Sequence, residues 1–126
     1  MVFFPIEGFT MHYDPTEALA RIDNDTGLLA MLISVFLKER PNYIERLQTA
    51  CAQQNLNALG DAAHNVKGAS AAIGFDVGSQ LAEELEVACR QSGVKTIASF
   101  ENSTAHLVDV LNNCPETLNK WVSENQ

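Results

Sequence analysis

One histidine of this 126-residue chain stands among residue types that would let it do chemistry on an exposed surface. It is His64, in the run Ala63-His64-Asn65-Val66-Lys67-Gly68-Ala69-Ser70-Ala71-Ala72-Ile73-Gly74. If this run is helical, each residue advances by about 100°, which brings Gly60, Lys67, Gly68 and Ala71 within roughly 60° of His64 and turns Ala63 and Val66 away. The imidazole is expected on an outward face, among small side chains and one lysine. With a reference pKa of about 6.5 it is substantially neutral near pH 7, as a nucleophile or an acid–base group requires. Lys67, one turn on, would offset negative charge placed on the ring, and a phosphoryl group on nitrogen brings such charge. A glycine within an exposed helix costs on the order of 1 kcal/mol relative to alanine. Gly60 and Gly68, with the small Ala71, are therefore read as clearance for a partner that approaches the ring closely.

Other chemistries lack their parts. Ser70 and Ser79 sit in no strand-to-helix elbow, and an exposed helix face offers no oxyanion hole. No Gly-rich phosphate loop or kinase motif is present, so the chain is not expected to bind ATP. His12 and His106 stand on other expected elements without metal spacing, and Cys51, Cys89 and Cys114 are odd in number and far apart. They read as buried thiols of a reducing compartment, with no disulfide and no structural metal.

The length suits one domain, and an apolar fraction of 46% suffices for one core. A net charge of −8 argues against a nucleic-acid binder, whose affinity comes from clustered Lys and Arg. The N-terminus lacks the basic start and apolar run of a signal peptide, and Leu28 to Leu37 falls short of the ~20 residues that span a bilayer. A cytoplasmic monomer is expected.

The elements that must position His64 follow from caps and periodicity. Residues 1–13, with Phe3, Phe4, Ile6, Phe9, Met11 and Tyr13, form a leader that packs on the bundle or is partly disordered. Asp14 is read as an N-cap with Pro15 at the first helical position, and Ala18, Leu19 and Ile22 face inward until Asp23-Asn24. Asp25 caps the next helix, whose apolar residues from Leu28 to Leu37 occupy nearly every face, as for a helix at the centre of a bundle. Pro41 should kink or divide it, after which Ile44, Leu47 and Ala50 or Cys51 resume the stripe. Gln53-Gln54-Asn55 connects to a helix over about 56–73 with Leu56, Leu59, Ala63, Val66, Ser70 and Ile73 inward. Gly74 ends it, Asp76 caps a helix with Val77, Leu81, Leu85 and Ala88 inward, and Gly93 ends that. A last helix from roughly Lys95 to Asn113 turns Ile97, Phe100, Leu107, Val108 and Leu111 inward. Pro115 separates it from a final turn or two with Leu118 and Trp121, the latter read as a packing residue. Short connections make consecutive helices antiparallel neighbours. The fold class expected is all-α, an antiparallel up-and-down four-helix bundle with short additional helices at the termini.

The run around His64, with Leu81 and Leu85-Glu86 downstream and the long apolar helix with Phe36-Leu37 and Pro41 upstream, resembles the histidine-containing phosphotransfer (HPt) domain of multistep two-component phosphorelays. The family pattern is roughly A-H-x-L-K-G-S-S-x-x-x-G followed by Leu-Glu. Val66 replaces its usual Leu and Ala69 its commonest Ser. The resemblance extends over residues 14 to about 92 and assigns 14–126 to one HPt domain. It implies that His64 is the phosphoacceptor, taking a phosphoryl group from an aspartyl-phosphate of one receiver domain and passing it to the aspartate of another. It implies that Lys67 neutralises phosphoryl oxygens, Gly68 admits the receiver, and Glu86 on the neighbouring helix orients the imidazole. The implied partners are response-regulator receiver domains and a hybrid sensor histidine kinase. The Mg²⁺ for transfer would sit in the receiver, and the chain would need no cofactor of its own and be no enzyme in itself.

Two other readings stay open at this stage. One is a helical adaptor that binds partners through an exposed face without covalent chemistry. The other is a phosphohistidine-dependent transferase, which requires a deep pocket beside His64. The starting Met1 and the leader favour a free-standing relay protein over the last domain of a hybrid kinase.

Overall fold

The computed structural model describes residues 11–91 and 97–126. The expectations for Phe3 to Phe9, for a stop at Gly93, for a start at Lys95 and for an inward Ile97 lie outside what it describes. A short helix α1 (Thr16–Ala20) precedes four long ones: α2 (Thr26–Ala52), α3 (Leu56–Ala72), α4 (Asp76–Arg90) and α5 (Glu101–Glu124), the last entered through a 3₁₀ turn, Ile97–Phe100. The principal contacts join α2 to α3, α3 to α4, α4 to α5 and α5 back to α2. With three-residue connections at 53–55 and 73–75, this is the expected all-α, up-and-down four-helix bundle.

The caps explain where α2 and α3 begin. Asp25 and Asn55 have extended backbones, and their side chains accept from the N–H groups of Leu28 and Ala58, at 2.9 and 3.0 Å. Two other caps differ from expectation by one residue. Pro15, without a side-chain acceptor, is the N-cap of α1, while Asp14 Oδ1 accepts from Thr16 N–H at 3.1 Å. Phe75 is the N-cap of α4, and Asp76 is its first helical residue. There its charge still favours the N-terminal end of the helix dipole. Gly74 ends α3 with φ +73°. Its N–H reaches Ala71 O at 3.1 Å and Phe75 N–H reaches Ser70 O at 2.9 Å, the paired bonds of a left-handed helix stop.

The core runs through all four helices, with Leu29, Ile33, Phe36 and Leu47 of α2, Leu59 and Val66 of α3, Leu85 of α4, and Leu107, Leu111 and Leu118 of α5 fully buried or nearly so. Each such side chain contributes roughly 1.5–3 kcal/mol by leaving water. Phe75 closes one end, edge-on to Phe36 and Tyr13, while Tyr13 also meets Trp121 and donates to Ile73 O at 2.7 Å. Burial pushes the Tyr13 phenol well above its ordinary range, with Asp76 adding to the shift.

Three expectations about the helices are corrected. Buried residues of α2 occupy one face, and Leu28, Met31 and Val35 are exposed, because α3 and α5 cover only the sides they touch. Of the kink or division expected at Pro41, the division does not occur, and α2 continues through it as one helix. Pro41 is exposed, and losing one N–H costs little where water can replace it. α5 likewise continues through Pro115, so Leu118 and Trp121 lie on its last turns and no separate C-terminal helix exists. A proline at 115 removes the N–H that would bond to Leu111 O. Arg40 Nη1 of α2 and the Cys114 thiol donate to that carbonyl instead, each at 3.3 Å. Cys114 is fully buried, its thiol pKa pushed up to about 11 mainly by burial, whereas Cys51 and Cys89 are only half-buried and none of the three forms a disulfide.

Candidate functional site

The buried stripe of α3 sets the direction of His64. Leu59, Ala63, Val66 and Ser70 have no exposure, so the helix cannot rotate, and the side chain of His64 is left 61% exposed on the far side. Lys67 and Gly68 follow it by three and four positions on the same face. Ala82 and Leu85 fix α4 in the same way, and this turns Glu86 toward α3. Two helices thus bring their charged rows together beside the imidazole.

Glu86 is the hub. Its Oε2 lies 3.0 Å from His64 Nδ1, and its Oε1 lies 2.9 Å from Lys67 Nζ. Its side chain is 15% exposed, and burial alone would raise its pKa. The hydrogen bond from Lys67, with the charges of His64 and Lys67, outweighs burial and holds the carboxyl below the ordinary carboxylate range. An ionised Glu86 only accepts, so the proton between it and His64 belongs on Nδ1. Nε2 then carries the lone pair on a side chain that is 61% exposed, and it has no partner among the described residues. The arrangement suits nucleophilic attack by Nε2, with Glu86 stabilising the positive charge that develops on the ring.

Arg90, one turn after Glu86, lies 3.7 Å from Glu86 Oε2 and 2.8 Å from Asp61 Oδ1 on α3. Neither Arg90 nor Asp61 was singled out from the sequence. The signal was present in their spacing, Glu86 to Arg90 at four positions and Asp61 to His64 at three, but the pairing depends on α3 meeting α4. Asn65 is turned to accept from the Arg46 guanidinium of α2.

The three small residues differ. A Cβ on Gly68 would meet nothing within 4 Å, so the space beside the ring is open. Ala71 is exposed, two turns from His64, and its carbonyl accepts from Arg21 Nη2 at 2.9 Å. Gly60 is a correction: it is buried, and a Cβ there would stand 2.9 Å from the Arg90 guanidinium. It makes room for a side chain of this protein and not for a partner.

Among the described residues no group of three His, Cys, Asp or Glu side chains is placed to hold a metal, and no helix is long and apolar enough to cross a membrane. The Hpt domain family model matches residues 31–119, well over half of the chain. The chain belongs to the Hpt domain family. Its fold is similar to the crystal structure of the HPT domain from an Hpt sensor hybrid histidine kinase of Shewanella, with a TM-score of 0.76 over 89% of this chain and 94% of that one, at 20% identity. No curated protein matches the chain in sequence. Hpt domains are the phosphotransfer modules of phosphorelays, where they meet receiver domains and histidine kinases. The family match begins within α2, so α1 lies outside it, while His64, Lys67, Gly68, Glu86 and Arg90 all lie within.

Proposed function

We propose that His64 is the phosphoacceptor of a phosphorelay, taking the group from a receiver-domain aspartyl-phosphate and passing it to the aspartate of another receiver. The observation that carries this reading is the pairing of His64 Nδ1 with Glu86, which leaves the nucleophilic lone pair on Nε2. The Nε2 lone pair forms the P–N bond as the P–O bond to the aspartate breaks, and the aspartate leaves as a carboxylate. The ring keeps its Nδ1 proton and becomes cationic, opposite the Glu86 carboxylate. Onward transfer reverses these roles. Lys67 is close enough to turn from Glu86 toward phosphoryl oxygens, and Gly68 leaves the approach clear.

The receiver supplies the aspartate and, on this reading, the Mg²⁺, so the chain works without a cofactor of its own or an ATP site. A face with His64 largely exposed fits transfer between macromolecules in the cytoplasm, with catalysis resting on positioning and charge. The test is incubation with a phosphorylated receiver domain and Mg²⁺. An acid-labile, base-stable adduct at His64, absent from His64→Gln, is expected. Binding of receivers unchanged by that substitution, with no adduct on the wild type, would leave the adaptor reading in its place.

A further inference from the structure

Lys67 has two tasks in the transfer described above, and it can serve only one at a time. Before transfer its Nζ stands 2.9 Å from Glu86 Oε1. That oxygen is closed to water. A carboxylate oxygen that is shut away from water and then loses its cation is costly, because its charge is neither solvated nor paired. If Lys67 turns to phosphoryl oxygens on His64, Glu86 needs another cation. It needs one while the ring beside it gains charge and has to stay oriented.

Among the described residues, the cationic side chains within 4.0 Å of this carboxylate are His64, Lys67 and Arg90. Arg90 Nη2 lies 3.7 Å from Glu86 Oε2, too far for a hydrogen bond, because it is held 2.8 Å from Asp61 Oδ1. Glu86 and Arg90 are four apart on α4, the spacing at which a glutamate and a following cation meet. Asp61 competes for Arg90 from α3, but weakly. Their side chains are 65% and 41% exposed, and ion pairs so open to water contribute little. The guanidinium lies over Gly60, where a Cβ would stand 2.9 Å from it, so the backbone of α3 is cut back beneath a side chain that ends on four rotatable bonds. Its planar fork can take a carboxylate through two N–H groups at once, which an ammonium does not match. Arg90 addresses the oxygen paired with His64 Nδ1, not the Nε2 at which the P–N bond forms.

We propose that Arg90 is a positioning residue of the transfer: as Lys67 turns from Glu86 to the phosphoryl group, Arg90 leaves Asp61 and closes on Glu86, keeping the carboxylate paired and fixed on His64 Nδ1. This rests on His64 being the phosphoacceptor, and the two are tested separately. Phosphoramidate, a small donor that needs no docking, is applied to the full chain. The P–N bond forms at Nε2 as the donor's own P–N bond breaks and ammonia leaves. No adduct in the wild type overturns the acceptor reading and this proposal with it.

Where the adduct forms, Arg90→Met is expected to slow it roughly three- to tenfold, and Arg90→Lys, which keeps a cation at the same spacing, to restore most of the rate. The same Arg90→Met change is expected to alter the rate less than about twofold in a Lys67→Met background, where Glu86 has no lysine to lose, and in Glu86→Gln, where no charge needs pairing. A wild-type rate in Arg90→Met overturns the proposal with the acceptor reading intact. So does a loss that persists undiminished in Glu86→Gln, which would place Arg90 on the phosphoryl group itself. Thermal melts accompany the kinetics, and a second measurement needs no change at Arg90. Its guanidinium resonances are expected to shift when His64 is phosphorylated, and unphosphorylated Lys67→Met is expected to show much of that shift already. Resonances that stay in place in both, or that move only on phosphorylation, overturn the hand-over from Lys67 to Arg90.

Discussion

Glu86 Oε2 of α4 stands 3.0 Å from His64 Nδ1 of α3, so the reactive ring is oriented from a helix other than its own. A charge-assisted hydrogen bond of this kind contributes roughly 1.5–3 kcal/mol. If that energy is realised as the ring gains positive charge, Glu86→Ala slows phosphorylation of His64 by phosphoramidate about 10- to 100-fold. Glu86→Gln, which keeps an acceptor without the charge, falls between the two. Rates measured on phosphate-affinity gels check this, and equal rates in the three proteins would remove Glu86 from the mechanism.

The same carboxylate links stability to pH. Its pKa is lowered in the folded protein, chiefly by the hydrogen bond from Lys67, so its contribution is fully present above the unfolded value of about 4.3 and is lost as pH falls through the lower folded value. The melting temperature of the wild type is expected to exceed that of Glu86→Gln at pH 7, with a gap that closes on acidification below about pH 5. Lys67→Met removes the largest cause, so at pH 7 the gap between Lys67→Met and Lys67→Met/Glu86→Gln is the smaller of the two. Circular dichroism melts across the acid range measure it.

Gly60 and Gly68 lie on one helix and call for opposite outcomes. Nothing within 4 Å meets a Cβ at Gly68, so Gly68→Ala gains helix propensity and stabilises the fold by about 0.5–1 kcal/mol. Gly68→Met, on the same open face, leaves phosphoramidate acceptance unchanged and slows transfer from a receiver. At Gly60 a Cβ meets the Arg90 guanidinium, the movable end of a flexible chain, so Gly60→Ala displaces Arg90 from Asp61 and the propensity gain is offset. Urea melts read both stabilities, and the Arg90 side-chain resonances report the displacement.

What was legible in the sequence is what one helix decides for itself. The stripe Leu59, Ala63, Val66, Ser70 and Ile73 is buried as its spacing requires, and His64 therefore faces out. What was not legible depends on a neighbour. Gly60 is only about 40° from His64 around α3, yet it is buried because α4 lays Arg90 across it. Leu28, Met31 and Val35 fill the periodic pattern of a central helix, yet among the described residues the principal contacts of α2 are with α3 and α5, and these three side chains stand exposed. The Glu86 contact came from family likeness, since no periodicity within α4 says which helix lies opposite.

Pro115 shows the same limit and yields the last prediction. Within one helix a proline removes the bond to the carbonyl four residues back and costs about 3 kcal/mol, which is why a break was expected there. α5 does not break, because Arg40 of α2 donates to the orphaned Leu111 carbonyl. If Arg40 substitutes for the missing N–H, then Arg40→Met leaves the buried carbonyl to the weaker Cys114 thiol donor and destabilises the fold by about 1–3 kcal/mol. In a Pro115→Ala background the restored N–H satisfies Leu111, and the same Arg40→Met change then costs less than about 1 kcal/mol. The double-mutant cycle from urea melts gives a coupling of roughly 1 kcal/mol or more. Additive effects would mean that Arg40 is held there by packing alone and that the helix passes Pro115 for another reason.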